Sequence, residues 1–364
     1  MAAPSIKILF LGDFQSANTA SWIEGFREAG AEVIAASARP EGRSGVYPLG
    51  PSGLPARLRM LLGGRDLKKL ITSFNPDVIV GYRVTSYGYM TTKTSFHPVI
   101  VAAQNEQITF LREPNWLRQK ILTYFARKAI KNADLLHAWS TNIAEGLEKF
   151  GADEKKILLM HRGISTDIFT ASGNRVFTSK SPRIVSTRSL YPEYRLDDLI
   201  KAFAVVRSRY SGAKLSIIGD GPEKKNLMKL AESLGVAEGV SFPGKIKQVE
   251  IAVMLSESDI YISLIDTEGL SSSLLEACSC GVLPIVSDIP ASREIIKNGE
   301  NGILITVESP EETGNIICTA FENRQLRERC ALRNPEFIQN KYDRKKNIAA
   351  FIAKYKELSK KCAE

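Results

Sequence analysis

The chain has 364 residues, 44% hydrophobic and 24% charged, which supports about two folded domains and excludes wholesale disorder. No apolar run reaches the ~18 residues that span a bilayer. The opening Met1-Ala-Ala-Pro-Ser-Ile-Lys7 lacks the charged start, apolar stretch and cleavage site of a signal peptide, so a soluble, cytoplasmic protein is expected. The net charge of +9 is uneven: residues 1–163 carry 21 basic and 14 acidic residues, and residues 164–364 carry 28 and 26. A basic first half suits an anionic partner, or else is simply a solvated basic surface.

In chain order, Ile8–Leu11 reads as a first strand ended by Gly12-Asp13, and Ala17–Ala29 as a helix closed at Gly30. Strands follow at Val33–Ala36, Asp77–Val80, Pro98–Ala103 and Asp134–Ala138, with helical segments between most of them. The join lies near His161–Asp167. Beyond it, strands are expected at Arg183–Ser186, Lys214–Ile218, Val240–Phe242, Asp259–Ser263, Leu283–Val286 and Gly302–Ile305. Helices are expected near Leu196–Arg209, Glu223–Leu234, Lys247–Ser256 and Ser273–Ser279, with a basic amphipathic helix at Arg344–Leu358. Short continuous apolar strands spaced by helices imply parallel sheets covered on both faces, hence two doubly wound α/β domains. The expected division is 1–163 and 164–343, with the helix at about 344–364 packing back on the first domain. A ligand cleft is expected where the C-terminal edges of the two sheets face each other.

Five cysteines (Cys278, Cys280, Cys318, Cys330 and Cys362) form no CxxC pair, and the three histidines form no cluster, so neither a disulfide framework nor a metal centre is expected. The informative stretch is Asp266-Thr-Glu-Gly-Leu-Ser-Ser-Ser-Leu-Leu-Glu-Ala-Cys-Ser-Cys-Gly281, which follows one strand and opens a helix. Gly269 permits a tight turn, and Ser271, Ser272 and Ser273 present amides and hydroxyls at a helix start, which suits a phosphate. Glu268 and Glu276 flank that pocket and can accept hydrogen bonds from sugar hydroxyls. Together these describe a nucleotide-sugar site. Ser273-x-x-Glu276 also fits a capping box, which would make Glu276 structural.

Glu268-x7-Glu276, followed by Ala277 and Gly281, resembles the signature of glycosyltransferase family 4, whose fold is GT-B, two Rossmann-like domains facing a cleft. Ile217-Ile-Gly-Asp-Gly-Pro222 is similar to the family's Gly-x-Gly-Pro segment, and Phe242-Pro-Gly-Lys245 to its Phe-x-Gly segment. Pro284–Pro290, Glu294–Gly302 and Gly163-Ile-Ser-Thr-Asp167…Phe169 are similar to further family segments. The resemblance is strong over most of 183–305 and weaker over 1–160. It implies a metal-independent, cofactor-free transferase that takes a nucleoside-diphosphate sugar and keeps the anomeric configuration. By resemblance, Glu268 holds donor-sugar hydroxyls and Glu276 the ribose diol. The amides of Leu270 through Ser273 would bind the sugar and diphosphate, with Lys245 and Ile246 beside the base and Gly12 admitting the distal phosphate.

Two departures stand out. Aligned on Leu190 and Leu199, the family's Arg and Lys positions hold Ser189 and Tyr194; Arg188 and Arg195, each one residue away, are the candidate diphosphate cations, against a surface role. Many relatives place a histidine after the fourth strand, where this chain reads Ala103-Gln104-Asn105-Glu106-Gln107. Asn105 and Glu106 are candidates on the acceptor or sugar side, with a loop cap as the alternative.

Two stretches interleave basic and apolar residues. In Arg57–Ile71, Gly63-Gly64 should interrupt a helix. Trp116–Lys131 places Lys120, Tyr124, Arg127 and Lys131 on one helical stripe, either an ordinary surface helix packing its apolar face on the sheet or one that lies on an anionic membrane, on the inner face of the cell. The leading reading is a retaining glycosyltransferase acting on a glycan, lipid-linked or small-molecule acceptor, in cell-surface glycan or glycolipid synthesis. A nucleotide-sugar epimerase of the same fold and a noncatalytic sugar-nucleotide binder are the alternatives. No nucleic-acid-binding motif is present.

Overall fold

The computed structural model describes residues 5–14, 17–40, 45–103, 115–171, 177–306 and 309–363. The chain divides into two compact units: Met1–Arg162 with Arg344–Glu364, and Gly163–Asp343. This division concentrates the charge. The first unit holds 28 basic and 16 acidic residues, a net of +12, and the second holds 21 and 24, a net of −3.

The first unit is built on seven parallel strands: β1 (Lys7–Leu11), β2 (Glu32–Ser37), β3 (Val46–Pro48), β4 (Val78–Tyr82), β5 (Val99–Ala103), β6 (Leu135–Ala138) and β7 (Ile157–Leu159). Their order in the sheet is β3-β2-β1-β4-β5-β6-β7. β4 and β5 are buried at every position, which is why they read as unbroken apolar runs. Leu9 of β1 lies opposite Ile34 on one side and Ile79 on the other.

Among the described residues up to Arg162, six helices accompany these strands: α1 (Ala17–Glu28), α2 (Ala56–Leu62), α3 (Gly64–Phe74), α4 (Tyr89–Thr91), α5 (Trp116–Asn132) and α6 (Thr141–Lys149). The helical stretch at 57–71 is broken at Gly63, as its paired glycines imply. A six-residue π-helical turn, Arg83–Gly88, leads into α4.

The second unit has six parallel strands: β8 (Arg183–Thr187), β9 (Lys214–Ile218), β10 (Val240–Gly244), β11 (Ile260–Ser263), β12 (Leu283–Ser287) and β13 (Ile303–Ile305), in the order β10-β9-β8-β11-β12-β13. Its helices are α7 (Leu196–Arg209), α8 (Lys224–Ser233), α9 (Gln248–Glu257), α10 (Ser272–Ser279), α11 (Pro290–Arg293), α12 (Pro310–Glu322) and α13 (Arg324–Lys341). The last helix, α14 (Arg344–Ala363), belongs to the first unit. There Phe351 packs 5.7 Å from Trp22, and Tyr355 packs 5.8 Å from Phe26, ring centre to ring centre.

Both units are doubly wound α/β layers. Each sheet reverses its direction of strand addition once, between β1 and β4 in the first unit and between β8 and β11 in the second. Chains leaving neighbouring strands diverge at such a point, and open α/β sheets bind ligands in the crevice this leaves at the C-terminal edge.

Candidate active site

In the second unit, Arg188 is the first residue after β8, and Glu268 lies in the loop after β11. These are the two strands flanking the reversal. The two side chains meet in a bidentate pair: Nη1 donates to Oε2 at 2.8 Å and Nη2 to Oε1 at 2.6 Å. Arg188 Nε donates to the Ser263 hydroxyl at 2.8 Å, and the guanidinium lies 5.3 Å from the centre of the Tyr194 ring. Burial opposes the charge on Arg188, but the Glu268 carboxylate paired with it favours that charge, and its pKa is raised. Burial also pushes up the phenols of Tyr194 and Tyr261, so both stay neutral beside the cation.

The position of Arg188 is set by backbone docking. A Cβ on Gly219 would lie 2.0 Å from the Arg188 carbonyl oxygen, and one on Gly221 would lie 2.3 Å from that of Leu190. Only glycines let the two loops approach this closely, and Gly219 also has φ +148°. Arg188 N donates to Ile218 O, Leu190 N to Asp220 O, and Glu223 N to Leu190 O, at 3.0, 3.1 and 3.1 Å. The Gly-x-Gly-Pro segment therefore works as a seat for the arginine loop.

Arg195 occupies a left-handed position, φ 45° and ψ 39°, immediately before α7. Its guanidinium is held by Asp198 and by Asp266, the latter at 3.1 Å. Arg188 and Arg195 thus share one edge of the sheet but pair with different carboxylates.

Ser271 caps α10, its hydroxyl accepting from Leu274 N at 3.4 Å, and Ser273 Oγ lies 3.3 Å from Ser271 Oγ. The helix opens at Ser272, so Glu276 stands in the second turn rather than three residues past the cap. This register removes the capping-box account of Ser273 and Glu276. Gly269 and Leu270 complete the turn into the helix. The leading amides of an α-helix have no intrahelical acceptor, and its dipole is positive at this end, so an anion is favoured there. Lys245 follows β10 with its side chain exposed, while Ile246 is half-buried against one of the hydrophobic clusters of the second unit.

In the first unit, Gly12 follows β1. A Cβ there would lie 2.9 Å from Thr19 Cγ2, 3.3 Å from the Phe10 ring and 3.4 Å from Tyr82 Cβ, so packing of α1 against β1 and β4 also requires the glycine. Arg83, the residue after β4, is exposed at φ 69°, a left-handed position at the β1/β4 reversal. The placement of Arg83, and of Ser263 and Tyr194 around Arg188, leaves no signal in local sequence spacing. Asn105 and Glu106 lie outside the described residues. Among the described residues, no group of three or more His, Cys, Asp or Glu side chains is gathered as a metal site.

On α5, Ala126, Ala129 and Ile130 are buried, whereas Trp116 is 67% exposed and Leu117, Ile121 and Tyr124 are exposed with it. The stripe residues Lys120, Tyr124, Arg127 and Lys131 all face solvent. No helix of the described residues is long and apolar enough to cross a membrane.

Two family models match the chain in succession: Glycosyltransferase Family 4 over residues 19–168 and Glycosyl transferases group 1 over 168–337. The chain belongs to glycosyltransferase family 4. Among curated relatives of this family-4 chain, an uncharacterized glycosyltransferase of Methanocaldococcus jannaschii is 27% identical over 73% of the chain and 70% of its own length. The N-acetyl-alpha-D-glucosaminyl L-malate synthase of Bacillus anthracis is 25% identical over 64% and 62%. A GDP-mannose-dependent alpha-(1-6)-phosphatidylinositol monomannoside mannosyltransferase of Mycobacterium tuberculosis is 27% identical over 44% and 46%. The chain thus matches less than two thirds of the length of the second and third of these. Among solved structures, a glycosyltransferase of Rickettsia africae superposes with a TM-score of 0.80 at 17% identity, covering 98% of this chain and 99% of its own. Anabaena HepE in complex with UDP-glucose superposes with a TM-score of 0.74 at 19% identity, covering 96% and 100%. These likenesses give the family-4 chain the GT-B fold.

Proposed function

We propose that the protein is a retaining glycosyltransferase that moves a hexose from a nucleoside-diphosphate sugar to an acceptor hydroxyl without a divalent metal. The observation that carries this is the Arg188–Glu268 pair at the strand reversal of the second unit, beside the N-terminus of α10. Departure of a nucleoside diphosphate leaves negative charge on phosphate oxygens, and preorganised donors aimed at that charge lower the barrier. Arg188, the amides from Leu270 to Ser273 and the serine hydroxyls are such donors. Arg195 lies on the same edge as a second cation. Glu268 would accept from sugar hydroxyls and Glu276 from the ribose, with Lys245 and Ile246 beside the base. When the acceptor oxygen bonds to the anomeric carbon as the phosphate leaves, its proton passes to the departing diphosphate, so no dedicated protein base is required. Asn105 and Glu106 are assigned to the acceptor or sugar side.

The names of similar proteins guide the choice of substrates. HepE was crystallised with UDP-glucose, and the mycobacterial relative is GDP-mannose-dependent with a phosphatidylinositol-linked acceptor. A thermal-shift screen over UDP-, GDP- and ADP-sugars identifies the donor, because a ligand that binds only the folded state raises its melting temperature. Transfer with the anomer kept, and undiminished in EDTA, is the expected outcome; an inverted product or loss of activity in EDTA refutes the respective part. Glu268→Gln should cut turnover strongly in the folded fraction, and should lower the melting temperature because Arg188 loses its buried partner.

The +12 charge of the first unit and the exposed aromatic and aliphatic residues of α5 support an anionic membrane surface as the site of work, with a glycan or lipid-linked acceptor. Lys120 stands 4.8 Å over the Trp116 ring, and Leu58, Leu61 and Leu62 of α2 are exposed beside Arg57 and Arg65. α2 and α5 follow β3 and β5, so both start on the C-terminal side of the sheet. Flotation with anionic liposomes should recover the protein at low salt and lose it at high salt; no recovery at low salt refutes the membrane assignment.

A further inference from the structure

We infer that Arg188 and Glu268 are stand-ins for the two halves of the donor: each occupies the other until a nucleoside diphosphate takes the arginine and thereby frees the carboxylate for the sugar. This rests on the donor reading above and adds an order of events to it.

The bidentate pair uses both carboxylate oxygens and both Nη atoms of Arg188, so neither group can offer that face to a ligand while the pair is closed. The two partners are not equally fixed. Arg188 is held from behind by Ser263 and flanked by the Tyr194 ring, and its side chain is 8% exposed. Glu268 is 17% exposed and sits between β11 and α10 with Gly269 next to it. The carboxylate is therefore the partner that leaves, and the guanidinium waits in place. Breaking the pair with no replacement would strand a buried cation, which is strongly unfavourable, so opening requires an incoming anion. A diphosphate has the oxygens to fill both Nη positions.

Two consequences follow from one exchange. The sugar-gripping carboxylate is released only when the diphosphate is seated, so a free sugar meets a closed site. After transfer, the returning carboxylate competes with the spent nucleoside diphosphate for Arg188 and promotes its release. The Tyr194 ring backs the guanidinium plane of Arg188.

The test is calorimetric titration of UDP, GDP and ADP, and of the sugar nucleotide of whichever binds, into the whole protein, Glu268→Gln and Glu268→Asp. The amide lacks the competing charge, and the aspartate is too short for the two-point contact. Binding of the nucleoside diphosphate should tighten about tenfold in Glu268→Gln and by less in Glu268→Asp. Binding of the sugar nucleotide should tighten less than that of the diphosphate, so the ratio of the two affinities shifts, which a purely structural role for Glu268 would not produce. Equal or weaker diphosphate binding by both variants overturns the exchange while leaving the donor reading intact. Failure of all three nucleoside diphosphates to bind the unaltered protein overturns both. Melting curves of the two variants identify loss of fold, and Glu268→Asp, which keeps the charge, supplies the reading if Glu268→Gln does not fold.

Discussion

Replacing Gly221 by alanine tests whether the Gly-x-Gly-Pro segment positions Arg188. The added methyl carbon would lie 2.3 Å from the Leu190 carbonyl oxygen, where ordinary contact begins at 3.4 Å, so the Leu190 loop must retreat by about 1 Å. That retreat strains two backbone hydrogen bonds, Leu190 N to Asp220 O and Glu223 N to Leu190 O, both 3.1 Å long. Losing them costs about 2 kcal/mol. For a unit of this size, that lowers the melting temperature by roughly 4–8 °C. Arg188 is two residues upstream of the contact and moves with it, and a 1 Å misplacement of a positioning group typically costs ~10²-fold in rate. Steady-state kinetics with the donor from the thermal-shift screen should therefore show kcat/KM falling about a hundredfold. Gly64→Ala is the control, since a methyl there meets nothing within 4 Å. A lower melting temperature with unchanged kcat/KM would mean that Arg188 does not depend on this seat, and the reasoning fails.

Glu276→Gln should weaken binding of the nucleotide sugar about tenfold with little change in melting temperature, as expected for a hydroxyl acceptor; a loss of ~1 kcal/mol in stability with normal donor affinity would restore a structural role for it. Burial pushes the His137 imidazole down to about 4 in the folded protein, against 6.5 unfolded. Its stabilising contribution is therefore complete above pH 6.5 and lost as pH falls towards 4, about 3 kcal/mol in all. Urea unfolding between pH 7.5 and 4.5 should show this acid limb flattened in His137→Phe, and an unchanged slope refutes the assignment. Arg83→Gly should stabilise the first unit by up to about 1 kcal/mol by relieving the left-handed backbone. An unchanged urea midpoint would show that this position is not strained.

The long central strands were legible because burial on both faces leaves continuous apolar runs, such as Val78–Tyr82 and Val99–Ala103. The edge strands Val46–Pro48 and Ile157–Leu159 were missed: three residues are too few to show a period. The serine run at 271–273 identified a helix start but not its register, since three identical side chains offer three equivalent caps and packing chooses Ser271. Arg188 and Glu268 could each be named from motif spacing. Their pairing could not, because it depends on two glycines, Gly219 and Gly221, admitting a loop more than 25 residues upstream.

Helix α14 completes the core of the first unit, and that fixes the order of assembly during synthesis. Ile348, Phe351 and Tyr355 leave the ribosome only after the whole second unit, so the part of the α1 aromatic face around Trp22 and Phe26 that they cover stays open while everything between is made. The second unit is one contiguous stretch and can close before them. The half translated first is thus finished after the second unit. Removing α14 would act as a lesion of the amino-terminal core.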